Sequence, residues 1–263
     1  MPAKNTVTKN QSPEKKNTTS KSVRVFWYIL VGGFGTFLFV LLLAMLGVFG
    51  KLPSLKELEN PSILQSSEVY AVDGTLMGKY YLERGNRSNV DYRNISRHVV
   101  NALVATEDER FYDHAGIDFK STLRAVFLLG KEGGGSTITQ QLAKTLLEQG
   151  SKNSIARLIE KIKEYIVAIR LERNFTKEEI VALYLNAVSF SDNVYGIRNA
   201  SRTFFQKDPD RLNIEEASLL VGTLKANYSY NPRLFPVAAR ERRNVVLGQM
   251  AKNNYITAAE AAR

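Results

Sequence analysis

Gly133-Gly134-Gly135-Ser136-Thr137-Ile138-Thr139-Gln140-Gln141-Leu142-Ala143-Lys144 is the stretch that organises the reading of this 263-residue chain. Three glycines and two hydroxyl residues run directly into an amphipathic segment, the pattern of a loop feeding a helix N-terminus. Free backbone N–H groups and hydroxyls at such a junction can hold an anion. A plain glycine-rich turn before a helix accounts for the same residues. No Gly-Lys-Ser/Thr follows the glycines, so the stretch is not a nucleotide-binding loop.

Working outward, apolar residues recur at helical spacing over 99–106, 123–129, 138–147, 155–171, 180–188 and 214–224. Thr176 followed by Glu179 predicts a capping box opening a helix over 177–188. On the 155–173 segment, Ile155, Ile159, Ile162, Ile166 and Ile169 form the stripe expected to be buried. Between Glu68 and Leu82, Asp73-Gly74 separates two strand-like runs and predicts a hairpin. The region after residue 68 therefore reads as a mainly α domain with a small β-hairpin at its entrance.

From Val25 to Gly50 no charged residue occurs. A helix needs about 20 apolar residues to cross a bilayer, so this run predicts one transmembrane helix. Arg24, Trp27 and Tyr28 mark one interface and Lys51 the other. Six cations against the single acid Glu14 precede it, which predicts a cytoplasmic N-terminus and a domain on the outer side of the cytoplasmic membrane. The apolar run is too long for a signal peptide, where roughly 7–15 residues is usual. The expected organisation is a cytoplasmic tail (1–24), the membrane helix (25–50), a connector (51–67), the main folded domain (68–250) and the start of a C-terminal linker (251–263).

The formal net charge of +10 favours anionic partners, namely head groups or pyrophosphate-bearing molecules. No nucleic-acid-binding motif accompanies it. The absence of cysteine excludes disulfides, thiolate metal sites and thiol nucleophiles.

Two further clusters carry chemistry. Glu107-Asp108-Glu109-Arg110-Phe111-Tyr112-Asp113-His114-Ala115-Gly116 ends an apolar helix in acids, a histidine and a glycine; a solvated helix end is the bland alternative. Arg157, Lys161 and Glu164 share one helix face at i, i+4 and i+7, which a salt-bridged solvent face also explains.

The order Glu-Asp-x-x-Phe-x-x-His-x-Gly at 107–116 resembles the first motif of the peptidoglycan glycosyltransferases (glycosyltransferase family 51). These occur alone, as monofunctional transglycosylases, or as the N-terminal domain of class A penicillin-binding proteins. Gly-Gly-Ser-Thr-Ile-Thr-Gln-Gln at 134–141, Lys161 with Glu164, and Tyr184-Leu185-Asn186 resemble the next three motifs. Glu160 stands where the family has arginine, Thr145 where it has asparagine and Ser191 where it has glycine. The resemblance covers about 68–247. It implies a lysozyme-like fold and polymerisation of lipid II into β-1,4 glycan in cell wall biosynthesis.

By that resemblance Glu107 is the catalytic base and Glu164 the second essential glutamate, which positions pyrophosphate and is a candidate ligand for a divalent metal (Mg or Mn). No organic cofactor is implied. Lys144, Lys161 and Arg157 would hold the pyrophosphate. Asp108, Phe111, His114, Ser136, Thr137, Gln140, Gln141 and Asn186 complete the implied substrate-binding set. The implied partners are lipid II, lipid-linked glycan, the bacterial cytoplasmic membrane and other cell wall synthesis proteins. Two other readings stand beside it: an impaired lipid II-binding or scaffold module, and a hydrolase, which would need a general acid facing Glu107. The segment 119–129 resembles a family element that dips into the bilayer.

Overall fold

A computed structural model describes residues 21–54, 57–58, 67–73, 76–80, 89–127, 135–147, 150, 153–192 and 194–262. The expected tail residues 1–20, most of the connector, and Gly74, Leu128, Leu129, Lys131, Gly133 and Gly134 lie outside these.

Helix α1 spans Lys21–Met45, and its side chains are nearly all exposed. It is long and apolar enough to cross a membrane. It begins four residues before the predicted start and stops five before the predicted end. The stop is a Schellman turn: Val48 N–H donates to Leu43 O (3.1 Å) and Gly47 N–H to Ala44 O (3.1 Å). Gly47 has φ +77° and Gly50 φ +100°, conformations that glycine adopts without a Cβ penalty.

Strands β1 (Ser67–Tyr70) and β2 (Leu76–Tyr80) pair antiparallel with a register shift between Val69 and Tyr70, so the predicted hairpin is present. The helical part follows: α2 (Arg97–Glu107), α3 (Phe119–Phe127), α4 (Ile138–Leu146), α5 (Ser154–Asn174), α6 (Lys177–Ala187), α7 (Ile197–Phe205), α8 (Ile214–Thr223), α9 (Pro236–Lys252) and α10 (Ala258–Ala261). A second small hairpin, β3 (Ser189–Ser191) with β4 (Val194–Tyr195), sits between α6 and α7. Mainly α with a small β element is thus the fold class.

Helix starts are set by side-chain caps. Thr137 with Gln140, Thr176 with Glu179 and Asn213 with Glu216 form complete capping boxes at α4, α6 and α8. Each N-cap contributes about 1 kcal/mol. One continuous core, including Leu103 of α2, Leu142 of α4, Leu171 of α5, Leu185 of α6, Leu220 of α8 and Met250 of α9, is sealed from solvent. Helix α4 packs on α5 and α6, while α2, α8 and α9 pack together as a second group.

Three expectations change. The isoleucine stripe of α5 is buried only at Ile162 and Ile166, whereas Ile155 is 71% and Ile169 38% exposed. The reason is that Ile162 and Ile166 meet Ala44 at the end of α1, while Val167, Ala168 and Leu171 turn a different side of α5 into the main core. Second, α7, α9 and the β3–β4 hairpin were not predicted. Third, residues 251–262 do not leave as a linker. Tyr255 and Ile256 pack on the core, and α10 starts with a Thr257–Glu260 capping box.

Candidate active site

An open cleft of about 1960 Å³ runs between the two helix groups. Glu107, the last residue of α2, reaches it from one side. Its Oε2 accepts from Gln141 Nε2 at 2.9 Å, and Gln141 Oε1 accepts from the Tyr184 hydroxyl at 2.9 Å. Tyr184 is 2% exposed. Burial, reinforced by the charge of Glu107, pushes its phenol far above the ordinary tyrosine value. It therefore stays protonated and donates, which fixes the orientation of the Gln141 amide and presents its N–H to Glu107.

Asp108 is buried and its oxygens are committed within the fold. Oδ2 accepts the backbone N–H of Ile138 at 3.1 Å, and the carboxylate accepts His114 Nε2 at 3.0 Å. The contact with Ile138 places a carboxylate at the N-terminus of α4, where unpaired N–H groups favour negative charge. Phe111 is fully buried beneath Lys177, whose Nζ lies 4.3 Å from the ring centroid. The same ammonium donates to His114 O (2.7 Å) and pairs with Glu172 (2.8 Å). Gly116 closes this loop with φ +87°, and a Cβ there would lie 3.0 Å from Ala168 O. On the other side of the loop, Arg110 pairs with Asp118 at 2.6 Å. Burial works against the Asp118 charge, but the Ser121 N–H and hydroxyl and the Arg110 guanidinium outweigh it and hold its carboxyl below the usual range.

On the second motif, Thr137 Oγ1 accepts from Gln140 N–H and donates to Gly116 O (2.7 Å), while Gln140 Oε1 accepts from Thr137 N–H. Both residues touch the cleft, but the bonds they make hold its floor in shape. Ser136 faces α5, where Lys161 Nζ donates to Ser136 Oγ (3.0 Å) and to Glu164 Oε2 (2.7 Å). Glu164 is 6% exposed. Lys144 and Arg157 are exposed cations on the cleft wall, with no acidic partner among the described residues.

Of the residues chosen from sequence, Glu107, Asp108, Ser136, Thr137, Gln140, Gln141, Lys144, Arg157, Lys161 and Glu164 border the one cleft. Phe111, His114 and Asn186 do not. Phe111, buried, and His114, partly buried, support the loop. Asn186 clamps the extended backbone at Val90, accepting its N–H (3.1 Å) and donating to its carbonyl (2.9 Å). Tyr184 and Asn186 lie about 200° apart around α6 at 3.6 residues per turn. Only one of them can face the cleft, and it is Tyr184.

The departures from the family pattern are accommodated. Ser191 Oγ donates to Asn227 O at 2.7 Å, and Thr145 Oγ1 bonds back to Gln141 O at 3.0 Å. Glu160 borders the cleft beside Lys161. Sequence reasoning also missed Lys51, Lys225, Arg242 and Gln249, which line the cleft from the connector, the end of α8 and the unpredicted α9. No local motif marks them.

The donor set does not suit a metal held by protein alone. Among the described residues no three His, Asp or Glu side chains converge, and the nearest positive charge to Glu164 is the Lys161 ammonium.

Residues 73–251 match the family model described as Transglycosylase. Penicillin-binding protein 1A of Aquifex aeolicus (strain VF5) is 41% identical over 221 residues, covering 82% of this chain and 30% of that protein. Penicillin-binding protein 1F of Bacillus subtilis (strain 168) is 42% identical over 200 residues, covering 74% and 27%. Penicillin-binding protein 1A of Escherichia coli (strain K12) is 36% identical over 211 residues, covering 79% and 24%. The chain thus spans less than a third of the length of these curated relatives.

Proposed function

Because the chain belongs to the transglycosylase family, we propose that it is a membrane-anchored peptidoglycan glycosyltransferase that joins lipid-linked disaccharides into β-1,4 glycan in cell wall synthesis. The acceptor is the 4-hydroxyl of lipid II. The donor is the growing glycan on undecaprenyl pyrophosphate. The hydroxyl oxygen bonds to the donor's anomeric carbon as the bond from that carbon to the pyrophosphate oxygen breaks. The configuration inverts, the hydroxyl proton passes to Glu107, and undecaprenyl pyrophosphate departs as the anion.

An alcohol is a weak nucleophile at neutral pH, and a positioned carboxylate base typically contributes about 10²–10⁴-fold. Glu107 suits that role because Gln141 holds one of its oxygens and the cleft lies open beside it. The leaving pyrophosphate needs charge stabilisation rather than a proton. Lys161, oriented by Glu164 and Ser136, would supply it together with Lys144 and Arg157. A hydrolase of the inverting type would instead need a carboxylic acid across from Glu107. Of the acids in the cleft, Glu164 is already paired with Lys161 and Asp118 with Arg110. The observation that carries the reading is the presence, within one cleft, of a carboxylate held by a neutral amide together with the cations Lys144, Arg157 and Lys161.

In this reading α1 is the single membrane span, the N-terminus is cytoplasmic and the cleft opens on the outer face. Other cell wall synthesis proteins are its partners. The test is polymerisation of fluorescent lipid II by the purified full chain, wild type beside Glu107→Gln. Lysozyme-sensitive polymer from wild type alone supports the assignment. A folded wild type that binds lipid II but yields no polymer would point to a binding module and to Glu160 as the departure responsible.

A further inference from the structure

The described part of the connector after α1 is built into the domain. Just before it, in α1, Ala44 is 1% exposed against Ile162 and Ile166, and beyond it Leu58 is 1% exposed in the main core. Between them Lys163 Nζ donates to Phe49 O, and Arg170 donates to Pro53 O at 3.3 Å. Ser54 and Glu57 form a reciprocal cap, with Ser54 N–H donating to Glu57 Oε2 at 2.6 Å and Glu57 N–H to Ser54 Oγ at 3.3 Å. Chain held at this many points has a defined course. That course makes Lys51, Leu52 and Pro53 a wall of the same cleft that contains Lys161 and Glu107.

Lys51 follows the end of α1 by six residues, so with α1 read as the membrane span its ammonium stands at head-group depth. A substrate tethered by a lipid carries its pyrophosphate at that depth too. Among the described connector residues the one acid, Glu57, accepts the Ser54 N–H and feels the Lys51 charge without pairing with it. We infer that Lys51 is a positioning residue for the pyrophosphate of the lipid-linked substrate, contributed to the site by the membrane anchor itself. This rests on the reading given under Proposed function. It goes beyond it in assigning the connector a place in substrate binding.

The competing source of the same chemistry is the phosphate of ordinary lipid head groups, for which a lysine at a membrane boundary is a usual partner. The test separates the two. Farnesyl pyrophosphate is titrated into the full chain in zwitterionic detergent without anionic lipid, using wild type, Lys51→Gln, Lys51→Arg and, as a control at the opposite end of α1, Lys21→Gln. Binding needs no turnover, so its outcome is independent of whether the chain polymerises.

The expected result is weakening on the order of tenfold for Lys51→Gln, from loss of one charge-assisted contact, with recovery in Lys51→Arg and no change in Lys21→Gln. With lipid II as substrate the same loss should appear in KM, with kcat nearly unchanged. Equal binding by wild type and Lys51→Gln would overturn the inference, as would a difference seen only in vesicles containing anionic lipid. No binding of farnesyl pyrophosphate by the folded wild type would overturn it as well. Lys51 is exposed, so Lys51→Gln should retain the wild-type melting temperature, which is measured alongside.

Discussion

Ile138 donates its backbone N–H to the carboxylate of Asp108 across 3.1 Å, and that single bond joins the end of α2 to the start of α4. Because Glu107 precedes Asp108 and Gln141 follows Ile138 by one turn, the bond also sets the spacing between base and amide. Asp108→Ala should therefore leave the Ile138 N–H and the His114 ring without their shared acceptor. We expect a loss of about 2–4 kcal/mol, given that hydrogen bonds to a charged group contribute about 1.5–3 each and do not add fully. Chemical denaturation checks the stability loss. Lipid II polymerisation should fall with it even under conditions where the variant is fully folded.

Removing the Tyr184 hydroxyl tests the orientation of Gln141. Tyr184→Phe leaves Gln141 Oε1 without its donor, so the amide is free to turn its oxygen toward Glu107. Polymerisation should drop on the order of tenfold through kcat, with a stability cost of about 1 kcal/mol. Gln141→Ala should cost more. Equal activity of Tyr184→Phe and wild type would show that the amide orientation does not matter.

Asn186→Ala should behave in the opposite manner. Its bonds go to Val90, away from the cleft, so stability should fall by about 1–3 kcal/mol as two buried backbone groups lose partners. KM for lipid II should be unchanged at temperatures where the variant is folded. A thermal melt beside a substrate titration reads both quantities.

Alkaline pH offers a fourth handle. Burial, with help from neighbouring Tyr92, pushes the Tyr112 phenol up to about 12, and burial raises Tyr255 as well. A raised pKa means that the fold holds the proton more tightly than the unfolded chain. That contribution is fully present below the unfolded value of about 10 and is lost as pH rises through the folded value. Stability should thus decline from about pH 10 to about pH 12. Tyr112→Phe should flatten part of that decline in denaturation curves measured across the range. An unchanged slope would refute the assignment.

Gly116 is the position where shape alone should matter. Its positive φ and the 3.0 Å approach to Ala168 O leave no room for a methyl group. Gly116→Ala should destabilise by more than about 1 kcal/mol and shift the loop carrying His114. Denaturation midpoints measure the first effect and tryptic cleavage after Arg110 the second.

These cases show what the chain declares locally and what it does not. Capping residues and 3.6-residue periodicity are local, so α2, α4, α6 and α8 were legible within one or two residues. The grouping of Glu107, Gln141, Lys161 and Glu164 was legible only through the resemblance of their three strings to the motifs of one family. Helix α9 was missed because four consecutive charged residues, Arg240, Glu241, Arg242 and Arg243, run round the helix and interrupt the apolar period. The α5 stripe was misjudged because two different partners, α1 and the core, divide that helix between them. Asn186 and Phe111 resemble ligand-binding residues in sequence, yet a motif cannot distinguish a side chain that touches substrate from one that holds the backbone beside it. Lys51 sits in no motif at all; only the course of the connector brings it to the cleft.

The Schellman turn at Gly47 has a consequence for how encounters with substrate are counted. By stopping α1 abruptly and returning the chain along α5, it would, on the proposed membrane-anchored reading, hold the cleft at a fixed height on the membrane instead of leaving it on a tether. Enzyme and a lipid-borne reactant then meet by diffusion in a plane. Their collision rate follows molecules per unit area of bilayer, and diluting the suspension with buffer should leave turnover per enzyme unchanged. Diluting the membrane with inert phospholipid should lower it.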